Sequence, residues 1–114
     1  MYVIMTRVKL REGTSEQCAE LFERSNPELV SNEQDWLGAR MIFDRQTNVV
    51  TVLASWRNPS SYKAMSAKPS FQDTMKEFSS FFASAPEISV NDVLGPVDNH
   101  LEAISAAAKF QQAA

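Results

Sequence analysis

Residues 49–57 form an apolar run with two apolar faces instead of one. By the period-two rule of a strand, Val50, Val52, Ala54 and Trp56 share a face, while Val49 and Leu53 make the opposite face apolar too. Residues 2–11 repeat the pattern. Tyr2, Ile4, Val8 and Leu10 share one face with Thr6 among them, and Val3 and Met5 start the other, which turns charged at Arg7, Lys9 and Arg11. Such strands need cover on both sides, because a large bare apolar patch is uncommon on a monomer.

The remaining punctuation supplies cover for one side. Gly13 ends the first strand, and Thr14 with Gln17 three residues on has the spacing of a capping box. Cys18, Leu21, Phe22, Ser25 and Leu29 then fall on one face of an amphipathic helix, which Asn26-Pro27 is expected to kink or restart before Trp36. Residues 37–45 pair with 49–57 across the polar turn Asp44-Arg45-Gln46-Thr47-Asn48, with Leu37, Ala39, Met41 and Phe43 on one face. Asn58-Pro59 opens a second helix carrying Tyr62 and Met65, and Lys68-Pro69 breaks and restarts it. Phe71, Met75, Phe78 and Phe82 continue an apolar stripe that Ala85-Pro86 ends, and residues 88–94 read as a last strand before Gly95-Pro96.

The order is strand, helix, strand, strand, helix, strand. It predicts an α+β, ferredoxin-like βαββαβ fold with a four-stranded antiparallel sheet over residues 1–97. Residues 98–114 read as a C-terminal helical extension, with Asn99 and Glu102 as a possible capping box and Leu101, Ile104 and Ala108 as its apolar stripe. Helices cover only one face of such a sheet. The other face is expected to meet the same face of a second copy, giving a two-fold homodimer, or to be covered by the C-terminal helix.

Composition narrows the chemistry. The chain has 114 residues, the size of one domain, with a single cysteine and a single histidine. No intramolecular disulfide or Cys-based zinc cage is possible, and most imidazole-ligated metal sites are excluded. Net charge is −3, so no general attraction to nucleic acid or an anionic membrane is expected. No stretch is long and apolar enough to span a bilayer, and Arg7 and Lys9 arrive too early for a signal peptide, so a cytoplasmic protein with a reduced thiol is expected.

The segment Trp56-Arg57-Asn58-Pro59-Ser60-Ser61-Tyr62-Lys63-Ala64 resembles the strand-to-helix step of the antibiotic biosynthesis monooxygenase family. Ser66-Ala67-Lys68-Pro69-Ser70-Phe71-Gln72 is similar to the segment that follows, and Asp35-Trp36-Leu37-Gly38 stands where the family often has a Pro-Gly-Phe-like lead into its second strand. The resemblance covers about residues 2–96. It implies a dimeric α+β barrel, with a pocket between sheet and helices in each protomer. It also implies either a cofactor-independent oxygenase acting on a small aromatic or quinol-type molecule, or a non-catalytic barrel that binds a small ligand or serves in a stress response.

In that family's cofactor-free oxygenases a strand Trp and a helix Tyr lie near the substrate, and Trp56 and Tyr62 match them. An Asn four residues before that Trp is absent, because Val52 stands there. The haem-degrading branch uses an Asn, a Trp and a His ligand. The matching positions hold Thr6, Met65 and Met75, so haem chemistry is not expected.

Tyr62 and Trp56 are therefore the candidate catalytic residues, with Thr6, Val52, Met65, Phe71 and Met75 as candidate substrate-binding residues and no metal or cofactor. Each has a plainer reading. Trp56 is a core aromatic or a pocket donor through its indole N–H. Tyr62 is an amphipathic packing residue or a hydrogen-bond donor to a phenolic or carbonyl oxygen. Thr6 is a β-branched strand residue or a hydroxyl set in an apolar face. The Phe71, Met75, Phe78 and Phe82 stripe is mainly core. Arg40 reads as a solvated or ion-paired side chain, or one facing the second sheet surface. Cys18 reads as a buried inert thiol and His100 as a surface residue.

Overall fold

Seven elements follow the predicted order: β1 (Tyr2–Lys9), α1 (Ser15–Val30), β2 (Trp36–Asp44), β3 (Val49–Trp56), α2 (Pro59–Ser66), α3 (Pro69–Ser79) and β4 (Glu87–Asp92). The structure, a computed structural model, describes residues 1–95. The expected helix at 98–114, the boundary at 97 and His100 lie outside the described residues. The four strands form one antiparallel sheet in the order β2-β3-β1-β4, the ferredoxin-like arrangement. Among the described residues no helix is long and apolar enough to cross a membrane.

The register puts the predicted faces together. Ile4 pairs with Ala54, Thr6 with Val52 and Val8 with Val50 on the face under the helices. Two buried clusters hold that layer. One joins Val8, Leu10, Cys18, Leu21, Val50 and Phe78; the other joins Ile4, Val30, Trp56 and Met65. On the opposite face Met5 pairs with Leu53 and Arg40 also faces Leu53, and Ile42 on β2 is 48% exposed. No described element covers this side of the sheet.

Several local expectations change. Thr14 does not close a capping box: its hydroxyl donates to the carbonyl of Arg11 instead. Asn26-Pro27 does not interrupt α1, which runs through Pro27. Burial of Cys18, Leu21 and Val30 along one face holds the helix across a residue that cannot donate its backbone bond. In β2 the register shifts between Trp36 and Gly38, where Gly38 takes a φ of +147° that side chains disfavour. Leu37 therefore leaves the expected apolar face and is 41% exposed, while Trp36 stands opposite Trp56. Finally α3 stops at Ser79 rather than near Ala85-Pro86. There the chain turns its hydrogen bonds toward the end of β1: Arg11 N–H donates to Phe81 O, Ala83 N–H donates to Lys9 O, and Phe82 bridges Leu10.

Other expectations hold. Asn58 caps α2 by accepting from Ser60 N–H at 3.0 Å, with Pro59 at the first helical position, and Pro69 restarts the chain as α3. In the β2–β3 turn, Asp44 Oδ1 accepts from Gln46 and Thr47 N–H, and Asn48 takes a positive φ of 62° while its side chain donates to Leu10 O.

Candidate functional site

The helix layer does not close tightly onto the sheet. Between α1, α2 and α3 above and β1, β2 and β3 below lies a cavity of about 150 Å³. All seven residues predicted for the site border it: Thr6 from β1, Val52 and Trp56 from β3, Tyr62 and Met65 from α2, and Phe71 and Met75 from α3. Phe78 and Phe82 border it too, so the aromatic stripe is both core and cavity wall. An apolar cavity of ~150 Å³ is large enough to stay dry and take up benzene. Ile88 on β4 both borders this space and is 54% exposed.

The polar groups at its wall have distinct states. Trp56 is 1% exposed, and its Nε1–H is a buried donor with no acceptor among the described residues. Buried donors almost always find partners, so an orphaned one on a residue that borders a cavity calls for an explanation. Tyr62 is half-buried, with its ring 6.0 Å from that of Trp56 and 6.4 Å from that of Phe71, edge-on to both. Burial pushes the Tyr62 hydroxyl above the ordinary tyrosine value, so at neutral pH it is a proton-bearing donor rather than a base.

The strand-to-helix step that carries this pair is anchored from the residue just before β2. Asp35 accepts a short hydrogen bond from Ser61 Oγ through its carboxylate and one from Arg57 N–H through its carbonyl. Together with the Asn58 cap, these contacts set where α2 leaves Trp56 and hence where Tyr62 stands.

Among the wall residues that the sequence reading did not assign to the site are Trp36 and Asn26. Trp36 enters because the bulge before Gly38 turns it inward. Its one sequence signal is the glycine two residues later. Asn26 borders the cavity from α1, four residues after the wall residue Phe22, a helical spacing that the Asn-Pro break obscured. The other sequence candidates lie elsewhere. Arg40 is exposed on the sheet face away from the cavity. Cys18 is buried in α1 and borders the cavity, and burial raises its thiol above the ordinary value, which keeps it protonated and unreactive. Among the described residues no group of His, Cys, Asp or Glu side chains is arranged to hold a metal ion.

The family model described as antibiotic biosynthesis monooxygenase matches residues 1–77. Solved structures share the architecture. An antibiotic biosynthesis monooxygenase aligns with a TM-score of 0.68 at 10% identity, over 83% of this chain and 100% of its own. SnoaB, a cofactor-independent oxygenase from Streptomyces nogalater, aligns with a TM-score of 0.71 at 13% identity, over 86% of this chain and 97% of its own. A conserved protein from Methanosarcina mazei Go1 aligns with a TM-score of 0.68 at 12% identity, over 78% and 88%. At these identities the likeness is one of fold. No curated protein sequence matches the chain.

Proposed function

Because this chain belongs to the antibiotic biosynthesis monooxygenase family, we propose that its cavity is the active site of a cofactor-independent oxygenase for a small aromatic, quinol-type substrate. One observation carries the reading: Trp56, whose indole N–H has no acceptor among the described residues, stands beside Tyr62 in the wall of an apolar cavity sized for an aromatic ring.

The chemistry asks little of the side chains. An electron-rich phenolate or enolate of the substrate itself reduces dioxygen. In an anthrone-type reaction a ring CH₂ becomes C=O, one oxygen atom enters the product and the other leaves as water with the two hydrogens. Tyr62 and Trp56 donate hydrogen bonds to the substrate oxygen on which negative charge gathers, with Thr6 as a further hydroxyl. Val52, Met65, Phe71 and Met75 exclude water, which strengthens those bonds in a low-dielectric surrounding. The second sheet face, where Val3, Met5, Val49 and Leu53 are half-buried and no described element lies over them, supports a homodimer formed by packing two such faces.

Oxygen uptake with a panel of anthrone- and quinol-type compounds tests the activity. Consumption of dioxygen with equimolar oxidised product is the expected result, and none from folded protein across the panel overturns it. A second reading is binding without conversion. It is favoured by Val52, an apolar side chain where the family's oxygenases carry a carboxamide. Native mass spectrometry that finds a retained small molecule, never converted in air, supports this second reading.

A further inference from the structure

Besides Thr6 on β1, the cavity is walled by two sets of polar groups on different elements. On the β3 and α2 side stand the Trp56 Nε1–H and Tyr62. On the α1 side stand Ser25 and Asn26. Ser25 donates its hydroxyl proton to the Leu21 carbonyl at 2.6 Å, so toward a ligand it can only accept. The carboxamide of Asn26 is the group of this pair that can both donate and accept.

Asn26 also sits against its own local preference. It lies inside α1 directly before Pro27, although a residue before proline is disfavoured in the helical region and Asn is a poor helix former. The helix would be better served there by Ala or Leu. A local rule broken at a cavity wall, in a helix otherwise held by its buried apolar face, points to use of that side chain.

We propose that Asn26 is a substrate-binding residue: its carboxamide holds a second oxygen of the ligand, across the ring from the oxygen taken by Trp56 and Tyr62. The cavity then selects a compact aromatic carrying two oxygen functions, of which hydroquinone is the simplest. This rests on the cavity being the ligand site proposed above, but it does not require that the ligand be oxidised. A carboxamide both donates and accepts, so it suits the hydroxyl of a quinol and the carbonyl of its quinone alike.

Both tryptophans of the chain, Trp36 and Trp56, border the cavity, so quenching of intrinsic fluorescence reports occupancy. Binding of toluene, phenol and hydroquinone is measured to the intact chain under nitrogen. The expected order of affinity rises from toluene to phenol to hydroquinone. Asn26→Ala is expected to lower hydroquinone affinity roughly three- to tenfold, to the level of phenol, the worth of one hydrogen bond. Toluene binding and the melting temperature are expected to stay at or above wild type, because Ala is the better helix former. Asn26→Asp, of the same size, serves as the second variant and is expected to retain hydroquinone binding better than Ala.

An equal loss for toluene and hydroquinone, a marked fall in melting temperature, or no preference for hydroquinone over phenol in the wild type overturns the assignment. Failure of all three probes to bind overturns both this assignment and the cavity as a ligand site. Selective binding without oxygen consumption in air removes only the oxygenase reading.

Discussion

The ring of Trp56 meets that of Tyr62 edge-on, at 6.0 Å between centroids and 63° between planes. Trp56 ends β3 and Tyr62 stands in the first turns of α2, so the pair joins sheet to helix across a single capped step. Trp56 is among the largest fully buried side chains, and it is packed with Ile4, Val30 and Met65. Trp56→Ala is expected to cost roughly 3–5 kcal/mol in urea-induced unfolding, the range for a buried aromatic truncated in a core. A loss below about 1 kcal/mol would show that the site collapses around the missing ring or that the indole is not in the core.

Tyr62→Phe separates the ring from the hydroxyl. The edge-on contacts with Trp56 and Phe71 survive, so stability is expected to change by less than about 1 kcal/mol. Turnover of a quinol-type substrate is expected to fall about 10²-fold, the scale for one lost donor to a developing oxyanion. Unchanged oxygen uptake would remove Tyr62 from the chemistry.

The same hydroxyl gives an alkaline signature. Burial raises its pKa above the unfolded value, so between the two values the folded chain holds a proton that the unfolded chain has lost. Stability from this group is fully present below the ordinary tyrosine pKa and is lost as pH rises through the folded one. Ultraviolet titration should show a phenolate step later than that of a free tyrosine, and Tyr62→Phe should remove it. If the step that Tyr62→Phe removes lies at the ordinary value, the hydroxyl stands in open water.

Asp44 gives the opposite sign. Backbone N–H bonds from Gln46, first, and Thr47 hold its carboxyl below the ordinary aspartate value. Its contribution is present above the unfolded pKa and is lost as pH falls through the folded one. Asp44→Asn should flatten the acid side of the stability profile, and a proton titration followed by NMR should place Asp44 below free aspartate. An ordinary titration would mean that the turn does not hold these bonds in solution.

Leu53 stands at the middle of the sheet face that no described element covers, opposite both Met5 and Arg40. If two such faces pack together, Leu53→Asp places two like charges in the seam, and light scattering should fall from twice the chain mass to one. A wild-type mass of a single chain would mean that the outer face is covered some other way.

Alternation and breaks alone determined the order of elements, the faces of β1 and β3, and the α2 start at Asn58-Pro59, because strand period, caps and proline act over a few neighbouring residues. The apolar stripe could be read for the same reason, whereas Trp56 and Tyr62 are candidates for the site by their match to the family's strand-to-helix step. The cavity itself was decided by tertiary structure. It is the space left between two layers, and no run of residues encodes a space. Trp36 turned inward only because the β2–β3 register slips before Gly38, a pairing between residues some twenty positions apart. Phe82 reached the wall after α3 had ended, because the chain there bonds to residues 9–11. Asn26 joined it because the packing of Cys18, Leu21 and Val30 carried α1 through a proline that local preference would have used to stop it. Local chemistry wrote the elements, and non-local packing, which outweighs local preference wherever enough apolar surface is buried, chose what they enclose.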